Sequence, residues 1–88
     1  MRPSDILTQV AELVEQREQD HGAYHHNFDL IAKLWSDYLA AYISARQVAT
    51  MMVLLKIARQ KSSPKTDDFD DAVGYAALAA ALFEREEI

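Results

Sequence analysis

The chain contains no cysteine. That excludes a disulfide framework, a thiol nucleophile and a cysteine-ligated metal, and it fits a reducing cytoplasm. Glycine and proline are scarce, two of each in 88 residues. With no alternating β-branched runs either, strands are not expected. No apolar run approaches the ~20 residues that span a bilayer. Met1-Arg2-Pro3-Ser4 is not followed by the apolar core of a signal peptide, so no membrane partner is expected. Basic residues are outnumbered, 9 against 14 acids, for a formal net charge of −5. This argues against a nucleic-acid backbone as partner. Neither a Gly-rich phosphate loop nor a Ser–His–Asp pattern is readable, and there is no internal repeat.

What the chain does have is apolar residues at helical spacing. Half of its residues are hydrophobic, which favours a packed globule over disorder. The expectation is one all-α domain over residues 1–88, a compact four-helix domain. Helix one should run from about Asp5 to Asp20, capped by Ser4 and stopped at Gly22, with Ile6, Val10, Leu13 and Val14 as its apolar stripe. His21 to Asn27 reads as a loop whose last residue caps helix two. That helix shows Phe28, Ile31, Trp35, Tyr38 and Tyr42 as a buried face, widened by Leu30, Leu34 and Leu39, and ends near Ala41. Ser44 with Gln47 is a capping box for helix three, which runs to about Gln60.

Helix three is apolar around most of its circumference from Val48 to Ala58. This suits a helix both central to the fold and shared with another subunit. A turn at Lys61-Ser62-Ser63-Pro64-Lys65 follows, and Thr66 or Asp67 caps helix four, expected to about Arg85 with a fraying tail. Phe69, Val73, Ala76, Ala80 and Phe83 form its stripe, and its many alanines allow close approach of a neighbour. A chain this short often gains stability by self-association. A homo-oligomer built on helices three and four is therefore expected.

One constellation stands out for chemistry. Lys56 and Arg59 interrupt the apolar helix three, and Asp68 and Asp71 lie beyond the turn. Residues three apart share a helix face, so two cations and two carboxylates can meet. One reading is a structural salt-bridge cluster, with Asp67 and Asp70 serving the helix start. The other is a ligand site. There Asp68 and Asp71 hold Mg²⁺, joined by Glu12 and Glu15 of helix one in a four-carboxylate cage, while Lys56 and Arg59 bind phosphate. Glu12-x-x-Glu15 also reads simply as a solvated helix face. Tyr75, one turn beyond Asp71, and Tyr24, in the loop, are the expected ligand contacts. His21, His25 and His26 lack the spacing of a zinc set.

Four segments carry a resemblance: the Gly22 loop before Asn27-Phe28, Leu34-Trp35 with Tyr38-Leu39, the run Met51 to Arg59, and Asp71-Ala72-Val73-Gly74-Tyr75-Ala76. In their order the chain resembles a family of small proteins common in tailed phages and prophages, whose function is generally unassigned. More distantly it resembles the all-α nucleotide pyrophosphohydrolases of the MazG and dimeric dUTPase kind. These bind Mg²⁺ through a Glu-Glu-x-x-Glu motif and a later Glu-x-x-Asp. Here Ala11 precedes Glu12, and Asp68 stands for the first Glu of the second motif, so the implied cage is degenerate. The resemblance implies a phage-derived nucleotide-binding or nucleotide-processing protein in the host cytoplasm. Two alternatives stay open: a non-catalytic accessory protein that sequesters a host nucleotide signal or binds a host protein, and a purely structural helical module.

Overall fold

Where each helix begins and ends follows from local backbone chemistry. The computed structural model describes residues 1–62 and 65–86, and there the chain forms α1 (Pro3–His21), α2 (Tyr24–Leu39), α3 (Ala45–Ser62) and α4 (Thr66–Glu86). No strand occurs among the described residues. The expectations for Ser63, Pro64, the Thr66 side chain, Glu87 and Ile88 lie outside the described residues.

α1 starts earlier than the Ser4 cap implied. Pro3 occupies its first position, where a missing N–H costs nothing, and the Asp5 carboxylate accepts the Arg2 backbone N–H at 3.0 Å. Ser4 lies inside the first turn. α1 ends as expected at Gly22, whose φ of 82° is open to glycine without strain and whose N–H donates to the Glu18 carbonyl at 2.8 Å. The loop read over 21–27 is mostly helix, since α2 begins at Tyr24. Asn27 does not cap α2. Its side-chain amide donates to the His21 carbonyl at 3.2 Å and ties the start of α2 to the end of α1.

α2 closes with Ala40 in the left-handed region, φ 52°. Ser36 then organises the turn, accepting the Ile43 N–H at 2.8 Å and donating to the Ile43 carbonyl at 3.2 Å. The capping box before α3 forms as read. Ser44 Oγ accepts the Gln47 N–H at 3.1 Å, and Gln47 Oε1 accepts the Ser44 N–H at 2.9 Å.

α3 and α4 form an antiparallel pair, the most extensive helix contact in the molecule. Lys56 meets Asp71 near their connection and Arg46 meets Glu86 at the far end. α2 packs on α3 and α1 packs on α4. The core gathers Phe28, Ala32, Ala45, Val48, Ala49 and Leu82, with Trp35, Tyr75 and Leu78 against it. α1 lies close to α4 at Gly74, where a β-carbon would stand 3.6 Å from Val14 and 3.7 Å from Val10.

Two apolar stripes are only partly covered. On α2, Phe28 is buried and Ile31 and Trp35 pack against the core as expected, but the rest of that face turns outward. Ala32 joins the core, and Tyr38 and Tyr42 are 90% and 84% exposed. Leu30, Leu34 and Leu39 are also exposed. On α4 the covered side carries Asp68, Gly74 and Leu82, and along the stripe Phe69, Ala76, Ala80 and Phe83 face solvent while Val73 is half-buried. Periodicity identifies an apolar face but not what covers it. No described helix is long and apolar enough to cross a membrane.

Candidate functional site

The cations of α3 find the carboxylates of α4 across the helix pair. Lys56 Nζ lies 3.1 Å from Asp71 Oδ2, and Arg59 Nε lies 3.4 Å from Asp68 Oδ1. Lys56 and Asp71 are largely covered, with side chains 16% and 14% exposed. A charge so placed requires a partner, because an uncompensated one costs several kcal/mol, ~3–5 when fully buried. A third cation, on α1, completes the group: Arg17 donates through Nη2 to Asp71 Oδ1 at 3.0 Å. Asp71 therefore has one oxygen on Arg17 and the other on Lys56, and ties together α1, α3 and α4.

Asp68 is 4% exposed. Its Oδ2 is buried and meets no hydrogen-bond donor among the described residues. Asp70, read as a helix-start acid, is buried as well. A shallow concavity of about 260 Å³ lies beside these acids, lined by Leu13, Arg17, Asp67, Asp70 and Asp71.

A second cavity, of about 210 Å³, opens where α1, α2 and α4 meet, lined by Val14, Arg17, His21, Tyr24, Phe28 and Tyr75 among others. Phe28 and Tyr75 stand edge to face there, ring centroids 6.3 Å apart at 84°. Its volume is below the ~300–1,000 Å³ of pockets that hold drug-sized ligands. It admits one ring, not a whole nucleotide. Arg17 borders both this cavity and the acidic concavity.

The eight residues expected at the site are thus divided. Lys56, Arg59, Asp68 and Asp71 form the ion cluster. Tyr24 and Tyr75 line the adjacent aromatic cavity. Glu12 and Glu15 are exposed on α1. Among the described residues no three acidic or histidine side chains converge as a metal site would require, so the four-carboxylate cage for Mg²⁺ is not assembled. Arg17 was missed because the segment from Glu15 to Asp20 reads as solvated. Its signal was positional: it stands three and seven residues beyond Val14 and Val10, on the same face as the apolar stripe.

An all-α domain with an ion-paired cluster at the junction of three helices and an aromatic cavity beside it is the class the structure defines. Within that class, the chain belongs to the family described as a domain of unknown function, DUF6378, whose model matches residues 5–83. It is 38% identical over 81 residues to the Gene 55 protein of Mycobacterium phage D29, covering 90% of this chain and 54% of that protein. It is 40% identical over 76 residues to the Gene 55 protein of Mycobacterium phage L5, covering 83% and 49%. The chain spans about half the length of these curated relatives. No solved structure matches it. The match to a family of unassigned function with phage members agrees with the first resemblance; nothing in it speaks to the MazG-like one.

Proposed function

We propose that this domain of a phage-type protein binds a nucleotide or a similar anionic, ring-bearing ligand without turning it over. The observation that carries this reading is the position of Arg17. It joins an aromatic cavity of ring size to a cluster with two further cations, Lys56 and Arg59. A base would enter beside Tyr24 and Tyr75, and its phosphates would lie outward, toward Arg17. A guanidinium binds phosphate oxygens through paired N–H donors. Catalysis finds less support. Both oxygens of Asp71 are held by cations, so a water would have to compete with Arg17 and Lys56 for this carboxylate. Any Mg²⁺ would then enter as the phosphates' own counterion.

The test is a thermal-shift and product assay over a panel of nucleoside mono-, di- and triphosphates, with and without Mg²⁺. Stabilisation by one of them, lost in Arg17→Ala and Tyr24→Ala while the apo proteins stay folded, is the expected result. Phosphate-ester products would replace the binder with an enzyme. No shift with any nucleotide would sink the reading.

A second reading is favoured by the same ion pairs. With Asp71 bridging Arg17 and Lys56, and Asp68 holding Arg59, the cluster is a lock that fixes α1 and α3 to α4. Arg59→Ala then lowers stability with no change linked to any ligand.

A further inference from the structure

The molecule exposes more surface than its mass requires. Its accessible area is 6378 Å² for 10.0 kDa, whereas a compact monomer of that mass exposes about 5,200 Å². The excess of roughly 1,100 Å² is comparable to the ~800 Å² that each partner buries in a standard stable interface. The radius of gyration agrees, 13.8 Å against ~12 Å for a compact chain of this length. Large apolar side chains lie in the exposed surface, among them Phe69, Phe83, Leu54 and Ile57.

Phe69 and Phe83 are exposed on α4, and Leu54 and Ile57 are exposed on α3. Arg46 stacks over the Phe83 ring, its guanidinium carbon 5.7 Å from the centroid, and so marks the flank of α3 that adjoins the α4 stripe. Ile57, eleven residues further, shares that flank. Along α4 this face carries no charged residue between Phe69 and Phe83, only Val73, Ala76 and Ala80 at helical spacing. The pattern has a centre: Ala76 is seven residues from Phe69 and seven from Phe83, two helical turns each way. A two-fold axis at Ala76 would cross α4 with α4 of a second copy, running antiparallel. Small residues would meet at the crossing, and Phe69 would lie against Phe83 of the partner subunit. The two phenylalanines are placed symmetrically about Ala76, with Val73 facing the smaller Ala79 position, so the face can pair with its own copy as an isologous interface does.

We infer that the outer face of α3 and α4 is a homodimer interface with its two-fold axis beside Ala76. This is independent of the ligand reading, because the face lies away from the aromatic cavity and shares no lining residue with it.

Sedimentation velocity over a concentration series should give twice the 10.0 kDa of one chain, and Ala76→Glu should return the monomer with its helicity by circular dichroism intact. Ala76→Cys, introduced into a chain without cysteine, should cross-link to its own copy on oxidation, which decides the matter even if Ala76→Glu fails to fold. A wild-type chain that stays monomeric throughout overturns the inference. So does a dimer that survives Ala76→Glu, one in which Ala76→Cys does not cross-link, or one dissolved by Leu34→Glu instead, which would place the interface on α2.

Discussion

At the residue scale, the two paired aspartates of the cluster should respond in the opposite order to their burial. Asp71 is satisfied on both oxygens, and its loss strands a mostly covered Lys56. Asp71→Ala should cost about 2 kcal/mol in urea unfolding, between the values for exposed and buried pairs. Asp68 is more deeply buried but keeps Oδ2 without a partner and shares Oδ1 with a half-exposed Arg59. Asp68→Ala removes a desolvated oxygen along with the pair, so it should cost less than Asp71→Ala. If Asp68→Ala were the worse of the two, Oδ2 would have to be satisfied. The pairing of these four residues was legible in the sequence, because cations on an apolar helix require anions within reach. Arg17 was not, because a cation in a charged run has solvent as its default partner.

A second residue-scale effect depends on pH. Asp29 accepts two hydrogen bonds from Arg85, at 2.6 and 3.1 Å, and these hold its carboxyl below the ordinary aspartate value. The folded state thus favours the carboxylate more than the unfolded state does. The resulting stability is present at neutral pH and is lost as pH falls below the unfolded aspartate value of ~3.9 and through the lower folded one. Both side chains are substantially exposed, so the contribution is below about 1 kcal/mol. Asp29→Asn should lower the melting temperature slightly at pH 7 and leave it unchanged in strong acid. An equal loss at both pH values would show that the charge is not the cause.

At the element scale, the helix ends that were legible are those with a single chemical solution. Ser44 and Gln47 form a reciprocal cap, and Gly22 is the one residue near the end of α1 that takes φ 82° freely. The starts of α1 and α2 were misplaced because nearby residues compete. Pro3 and Asp5 do the work assigned to Ser4, and Asn27 turns its amide to His21 instead of its own helix. Ala40 holds a positive φ with a β-carbon, so Ala40→Gly should stabilise the protein by up to about 1 kcal/mol. Gly74 offers a sharper contrast. The space beside it accepts one methyl at ordinary contact distance, and a helix interior favours alanine over glycine by ~1 kcal/mol. Gly74→Ala should raise the melting temperature, whereas Gly74→Leu should push α1 off α4 and cost roughly 1–3 kcal/mol.

At the scale of the whole molecule, the four helices and their all-α class could be read from spacing alone, and the structure agrees. Which apolar stripes the chain covers for itself could not. The stripe through Phe69 and Phe83 and the one through Leu34 and Tyr38 look like core in sequence and are surface in the folded chain. Helical periodicity is the same whether the covering helix belongs to the same chain or to another.

The close seat of α1 on Gly74 has one more consequence. α1 contributes a single buried residue, Val10, and its main neighbour is α4 alone. Little apolar burial anchors it, and the Arg17–Asp71 pair is its one ion pair to the rest of the described chain. In free-energy terms α1 is the helix that opens most cheaply, ahead of global unfolding. Its backbone amides should therefore exchange with deuterium faster than those of α3 and α4, and faster still in Asp71→Ala. Because α1 forms one wall of the aromatic cavity, that opening would also widen the cavity. A ligand that closes it would slow exchange along the whole of α1, including turns it never touches.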